Sequence, residues 1–259
     1  MLEKIVLIHP TKCAGTTISK RLFRLKGFSD LNSSILSGYT FNRFFQENIQ
    51  IFYFIIHSRN LILYFSYLLF YFLCLLFKLR NIFSKHKFGL TFSNGSIQHF
   101  TYREWKKINK ISSDTICIGI VTHPQHRIVS SFYFLGYHNH YNFLEFLYKI
   151  KDGSLLKSIR FSGFRAIIQQ HLISMYDTLI SNNSNNINFL FKRELLDDDW
   201  KEFCNLYQIT YTSLRHINKT KKNADWKNLY RIYPEASSLV YELYKKDFDY
   251  FDYKIYDKK

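Results

Sequence analysis

The chain is short of acidic residues, short of alanine, and without paired cysteines. Asp and Glu number 20 against 36 Lys and Arg, a formal charge of +16 over 259 residues and a pI of about 9.6. A surface this basic implies a polyanionic partner: nucleotide phosphates, an anionic glycan, an acidic membrane or nucleic acid. The four cysteines, Cys13, Cys74, Cys117 and Cys204, are far apart and form no CxxC pair. That spacing excludes a zinc ribbon and a disulfide framework, and isolated thiols fit a reducing compartment. No secretory leader is evident, because the first apolar run, residues 5–8, is too short and leads into a polar loop. The expected location is cytoplasmic, with the inner face of a membrane as an extension of it. Scarce alanine goes with abundant Lys, Asn, Ile, Phe and Tyr, which reads as coding bias. With 26 Phe and 20 Tyr, aromatic residues beside basic ones are weak evidence for nucleic acid, and nucleic-acid binding is not expected.

What is present is a strand and helix order. The length suits one α/β domain, 1–259, carrying an insertion at about 30–92. Residues 4–9 (KIVLIH) read as a buried strand, 10–15 (PTKCAG) as a loop, and 16–25 as a helix with Thr16 as N-cap. Further strands are expected at 115–121 and 187–191. Helices are expected at 102–108, 125–134, 142–151, 159–174 and 196–207, with one long closing helix over 234–248. Strands separated by helices favour a parallel sheet. The expected fold class is therefore three-layer α/β: a P-loop-like, mostly parallel central sheet flanked by helices, with an apolar helical insertion. There is no internal repeat.

Residues 61–77 (LILYFSYLLFYFLCLLF) form an apolar run with basic flanks at Arg59, Lys78 and Arg80. The run is just under spanning length. A buried helix, an in-plane membrane helix and a span are all compatible with it. A single span would separate residues 1–58 from 81–259, and the motifs on the two sides would then lie across a bilayer from each other. Peripheral membrane contact through residues 49–83, or burial, is expected instead.

The first chemical motif is the loop holding Lys12, Cys13, Ala14, Gly15, Thr16 and Thr17. Helix N-termini attract anions through unpaired N–H groups and the helix dipole, small residues let the backbone approach, and a lysine adds a point charge. A Walker A loop has its lysine directly after the last glycine. Here Lys12 precedes Gly15 by three residues, which disfavours an ATPase or kinase of that type. The second motif, residues 120–134 (IVTHPQHRIVSSFYF), places Thr122, Arg127 and Ser130 around a strand end and a proline-led helix start. No spacing suggests a metal site.

The two segments together resemble the carbohydrate sulfotransferase family that includes heparan sulfate 2-O-sulfotransferases and bacterial relatives. The resemblance covers residues 4–25 and 95–253. It implies that Lys12 to Thr17 hold the 5′-phosphosulfate of 3′-phosphoadenosine 5′-phosphosulfate (PAPS). Ser130, helped by Arg127, would hold the 3′-phosphate. The sequence departs from the family at Thr122, where an arginine normally pairs with that phosphate. Residues 216–221 (HINKTK) resemble the family's nucleotide-closing loop and put Lys219 near a phosphate. His99, in QHFTYRE, stands where the family keeps its catalytic base, with His9 as second choice. The resemblance implies sulfuryl transfer from PAPS, without a metal, to a hydroxyl of an acceptor. The acceptor would be a carbohydrate, a lipid-linked sugar or a glycolipid. The alternative is a non-catalytic, degenerate sulfotransferase fold that binds a membrane surface or an anionic glycan, and Thr122 is its best support.

Overall fold

The computed structural model describes residues 5–22, 90–91, 95–96, 99–107, 111–159, 162–181, 185–214 and 225–257. The apolar run at 61–77, almost all of the insertion at 30–92, and Lys219 lie outside the described residues.

Three short apolar runs form the sheet. Strand β1 (Ile5–Ile8) is buried along its whole length and leads into helix α1 (Gly15–Leu22). A two-stranded antiparallel pair follows, β2 (Leu90–Thr91) with β3 (Gly95–Ser96). Helix α2 (Tyr102–Lys107) opens on a reciprocal cap: Thr101 Oγ1 accepts from Glu104 N–H, and Glu104 Oε2 accepts from Thr101 N–H. Then come β4 (Ile116–Val121) and α3 (Pro124–Phe134). Helix α4 (Phe143–Lys151) starts at a full capping box of Asn142 and Glu145, and α5 (Ser154–Lys157), α6 (Ser162–Leu172) and α7 (Met175–Leu179) follow. Strand β5 (Phe189–Lys192) leads into α8 (Leu196–Leu206), and the chain closes with α9 (Lys227–Ile232), α10 (Glu235–Leu243) and α11 (Lys245–Phe251).

Strands β1, β4 and β5 form a parallel sheet in that order, with Ile5 beside Ile116 and Val121 beside Lys192. The strands run as near-continuous apolar stretches because parallel sheets are covered on both faces. A first core joins the sheet to Ile18 and Leu22 of α1, Trp105 of α2, Met175 and Leu179 of α7, and Trp200 and Phe203 of α8. A second core is purely helical and is centred on Phe132, Phe143, Phe146, Tyr230 and Phe248. The chain is thus a parallel sheet flanked by helices. Among the described residues no helix is long and apolar enough to cross a membrane.

Two boundaries differ from expectation in an informative way. Helix α1 begins at Gly15 rather than after a Thr16 cap. The expected helix over 234–248 is broken at Tyr244, whose φ of −124° and ψ of 28° leave helical geometry. The break is tertiary in origin. The Tyr244 hydroxyl donates to the carbonyl of Leu172 at 2.9 Å, and the Asp247 carboxylate accepts from the amides of Met175 and Tyr176 at 3.0 and 2.7 Å. Helix α11 is re-aimed so that Asp247 caps α7, which no local periodicity reveals.

Candidate active site

The parallel order brings three strand ends together: 9–14 after β1, 122–123 after β4, and 193–194 after β5. Open α/β sheets place ligands at this edge.

The loop after β1 is tightly built. Lys12 and Ala14 take positive φ values of 67° and 64°, a region L-residues occupy at a cost. Gly15 is required by a close approach: a Cβ there would lie 2.3 Å from Nδ1 of His9. The loop is held from outside by α3 and α6. Arg127 Nε donates to the carbonyl of Thr11 at 3.1 Å, and Thr11 Oγ1 donates to the carbonyl of Gln170 at 3.3 Å. The Cys13 side chain points into the core, its sulfur 3.6 Å from that of Met175, and burial pushes its thiol up to about 12. Cys13 therefore offers the site only its backbone. Thr16 and Thr17 lie in the first turn of α1, Thr16 half-buried and Thr17 buried.

The Lys12 ammonium lies 4.1 Å from the centroid of Phe134, which also stacks on the ring of His171 at 4.9 Å. Burial, and next the charge of Arg193, lower Lys12 to about 8. No carboxylate pairs with Lys12 among the described residues. A half-buried ammonium without a carboxylate partner carries an unreturned desolvation cost, which an arriving anion would offset.

Three imidazoles lie beside this loop. His99 meets His9 edge-on at 4.7 Å and His171 at 6.2 Å. His99 Nδ1 donates to the carbonyl of His9 at 3.2 Å. A carbonyl only accepts, so the proton sits on Nδ1 and Nε2 keeps its lone pair. Burial, then the charges of His9 and His171, hold His99 well below the usual imidazole range. It is neutral at pH 7, as a general base requires. His9 is buried and lowered to about 4 chiefly by that burial, and its ring fills the space above Gly15.

The strand end after β4 differs from expectation. Thr122 is buried, and its hydroxyl donates to Glu194 Oε1 at 2.7 Å. The same carboxylate oxygen accepts from His123 N–H at 2.9 Å, and Oε2 accepts from the Tyr253 hydroxyl at 3.0 Å. Glu194 thus occupies the start of α3, where an incoming anion was expected. Arg127 is only 2% exposed, and besides Thr11 it reaches the carbonyl of His171 at 3.5 Å. Its guanidinium is turned to the loop carbonyl of Thr11 and to the end of α6. Ser130 is buried on the same helix at 6% exposure.

Sequence reasoning saw in residues 191–200 only a loose family match and gave Arg193 and Glu194 no role. Arg193 Nη1 lies 2.7 Å from Nδ1 and 3.0 Å from Nε2 of His126. The signal was available: Arg193 directly follows the apolar run of β5, and the parallel register carries it to the site. Glu194 was equally legible there as a carboxylate at a strand end. Among the described residues no group of three or more His, Cys, Asp or Glu side chains is placed to hold a metal ion.

A family model described as the sulfotransferase family matches residues 3–254, nearly the whole chain. No curated protein and no solved structure matches it.

Proposed function

The chain belongs to the sulfotransferase family, and on that premise we propose that it moves a sulfuryl group from PAPS to a hydroxyl of a carbohydrate or glycolipid acceptor. The observation that carries the proposal is the placement of His99 beside the Lys12 loop, with Nδ1 committed to the His9 carbonyl and Nε2 available. The residues present fit an anionic donor. Lys12 is a half-buried cation with no carboxylate partner among the described residues. The backbone from Lys12 to Thr17 is arched by two positive-φ residues ahead of a helix start.

The roles follow from charge and position. Lys12 and the start of α1 hold the 5′-phosphosulfate. His99 Nε2 takes the proton of the acceptor hydroxyl as its oxygen attacks sulfur. The bond between sulfur and the bridging oxygen of the 5′-phosphate breaks, and its electron pair leaves with 3′,5′-ADP. Lys12 balances the charge that grows on that oxygen, as in the related in-line phosphoryl transfers. The ring of His171, lowered to about 3 by burial, is neutral and adds no competing charge beside His99. The net charge of +16 suits an anionic donor and an anionic acceptor alike. The apolar run at 61–77 suits an acceptor presented at a lipid surface.

The test uses PAPS labelled in its sulfur with a panel of glycans, lipid-linked sugars and glycolipids. Label is expected to reach an acceptor with the wild type and to fall by about 100-fold or more in His99→Ala, in line with loss of a general base. Donor affinity in that variant should be kept. Binding of the donor without transfer to any acceptor would instead favour a binding protein on the same fold.

A further inference from the structure

Around the three strand ends, most of the cations are already engaged. Lys192 Nζ donates to the carbonyl of Phe251 at 3.0 Å, and Arg127 is turned inward to Thr11 and His171. Thr122 and the first amide before α3 are held by Glu194. Lys12 and Arg193 are different. Neither has an ion pair among the described residues. Arg193 is half-buried, and its only described hydrogen-bonding partner is the neutral ring of His126.

His126 Nδ1 faces the Thr122 hydroxyl oxygen at 3.5 Å, and that oxygen has given its own proton to Glu194. Arg193 Nη1 is 2.7 Å from Nδ1 and 3.0 Å from Nε2, which sets it over the face of the imidazole rather than on one lone pair. The contact pins one arm of the guanidinium fork and leaves the others for a ligand. Burial and the charge of Arg193 lower His126 to about 3, so the ring is neutral and does not repel the guanidinium. Arginine matches phosphate geometry through paired donors and is always charged. The β4–β5 register sets Arg193 one strand across from Thr122, on the same edge of the sheet as Lys12.

We infer that Arg193, oriented by His126, binds the second phosphate of the donor, the 3′-phosphate of the adenosine ribose. The inference rests on the PAPS reading above and adds to it which cation distinguishes PAPS from nucleotides that lack a 3′-phosphate. Arg193 is the binding group and His126 the positioning residue.

The test is calorimetric titration of the full chain with 3′,5′-ADP and with 5′-AMP. The wild type is expected to prefer 3′,5′-ADP. Arg193→Ala should weaken 3′,5′-ADP by about 10- to 100-fold, the range for a hydrogen bond to a charged group, and leave 5′-AMP unchanged. Arg193→Lys should keep part of the preference. His126→Phe, which keeps a ring face against the guanidinium, should retain more of it than His126→Ala. An unchanged preference in Arg193→Ala would overturn the assignment and leave the donor reading standing. Equal loss of both ligands would make Arg193 a support of the loop and would also overturn it. No preference in the wild type would remove the donor reading and the assignment together.

Discussion

The buried guanidinium of Arg127 donates from Nε to the carbonyl oxygen of Thr11, 116 residues earlier in the chain, at 3.1 Å. Helix α3 thereby fixes the loop that carries Lys12. The bond is charge-assisted and dry, and its loss leaves a loop carbonyl without its main partner. Arg127→Ala should cost about 2–3 kcal/mol. Thermal melting without ligand should fall by roughly 4–12 °C at this chain length. A melting temperature equal to the wild type, with weaker 3′,5′-ADP binding, would place Arg127 on the phosphate instead.

Gly15 and His9 share one space. A methyl group on Gly15 would lie 2.3 Å from Nδ1 and 2.5 Å from Cγ of His9, and the His9 ring in turn contacts His99 at 4.7 Å. Gly15→Ala must push the imidazole toward His99. Overpacking of this kind costs about 1–3 kcal/mol, and the displaced base should lower kcat more than it raises KM for the donor. Wild-type kcat in a folded Gly15→Ala variant would show that the His9 ring has room to move.

The charge of Lys12 sets an alkaline limit. Its folded pKa is lowered by burial, then by Arg193, to about 8, so above that pH the cation proposed to capture the donor is lost. kcat/KM for the donor should fall as pH rises through 8, at up to about tenfold per unit. In Arg193→Ala one cause of the depression is removed and the limb should move to higher pH. The stability sign is opposite. Between about 8 and the unfolded value of 10.5 the unfolded chain binds more protons, so stability rises with pH. Protonation of His99 should not limit the rate near pH 6.5, since burial holds its pKa well below that value. A pH profile flat from 7 to 10 would contradict this account of Lys12.

Asp247 couples the last helix to the site. Its carboxylate accepts from the amides of Met175 and Tyr176, and burial raises its pKa from 3.8 to about 6 despite the opposing charge of Arg127 and those two bonds. The folded state therefore holds a proton that the unfolded chain has released between about pH 4 and 6, and stability should fall as pH rises across that window. Asp247→Ala should abolish the slope. It should also destabilise by about 2–4 kcal/mol, because two amides are left unpaired. Denaturant unfolding at pH 4, 5, 6 and 7 measures both effects, and a slope kept in the variant would assign it to another group.

Much of the site was legible because its motifs are local. A strand, a small-residue loop with Lys12 and a helix start are contiguous, so residues 4–25 declared the loop. Residues 115–134 declared a second strand and a proline-led helix in the same way. His99 was found by resemblance, not by periodicity, and its tautomer needed the His9 carbonyl. Arg127 read as a helper at the 3′-phosphate, and nothing local shows that α3 turns it toward the carbonyls of Thr11 and His171. The helix expected at 234–248 failed at Tyr244 for the same kind of reason, since its hydroxyl and Asp247 answer to α6 and α7.

By itself the sequence determined the charge, the order of strands and helices, and the strand–loop–helix form around Lys12, because these depend on composition and on neighbours within a few residues. The tertiary structure alone decided what surrounds each cation. The order β1–β4–β5 sets residues from 12, 122 and 193 on one edge. Packing then turns Arg127 inward, sends Glu194 to the start of α3, and sets a half-buried Arg193 against His126. The physical reason is that a buried charge is governed by the carbonyls, carboxylates and rings that surround it in space, and here those groups come from segments far apart in the chain.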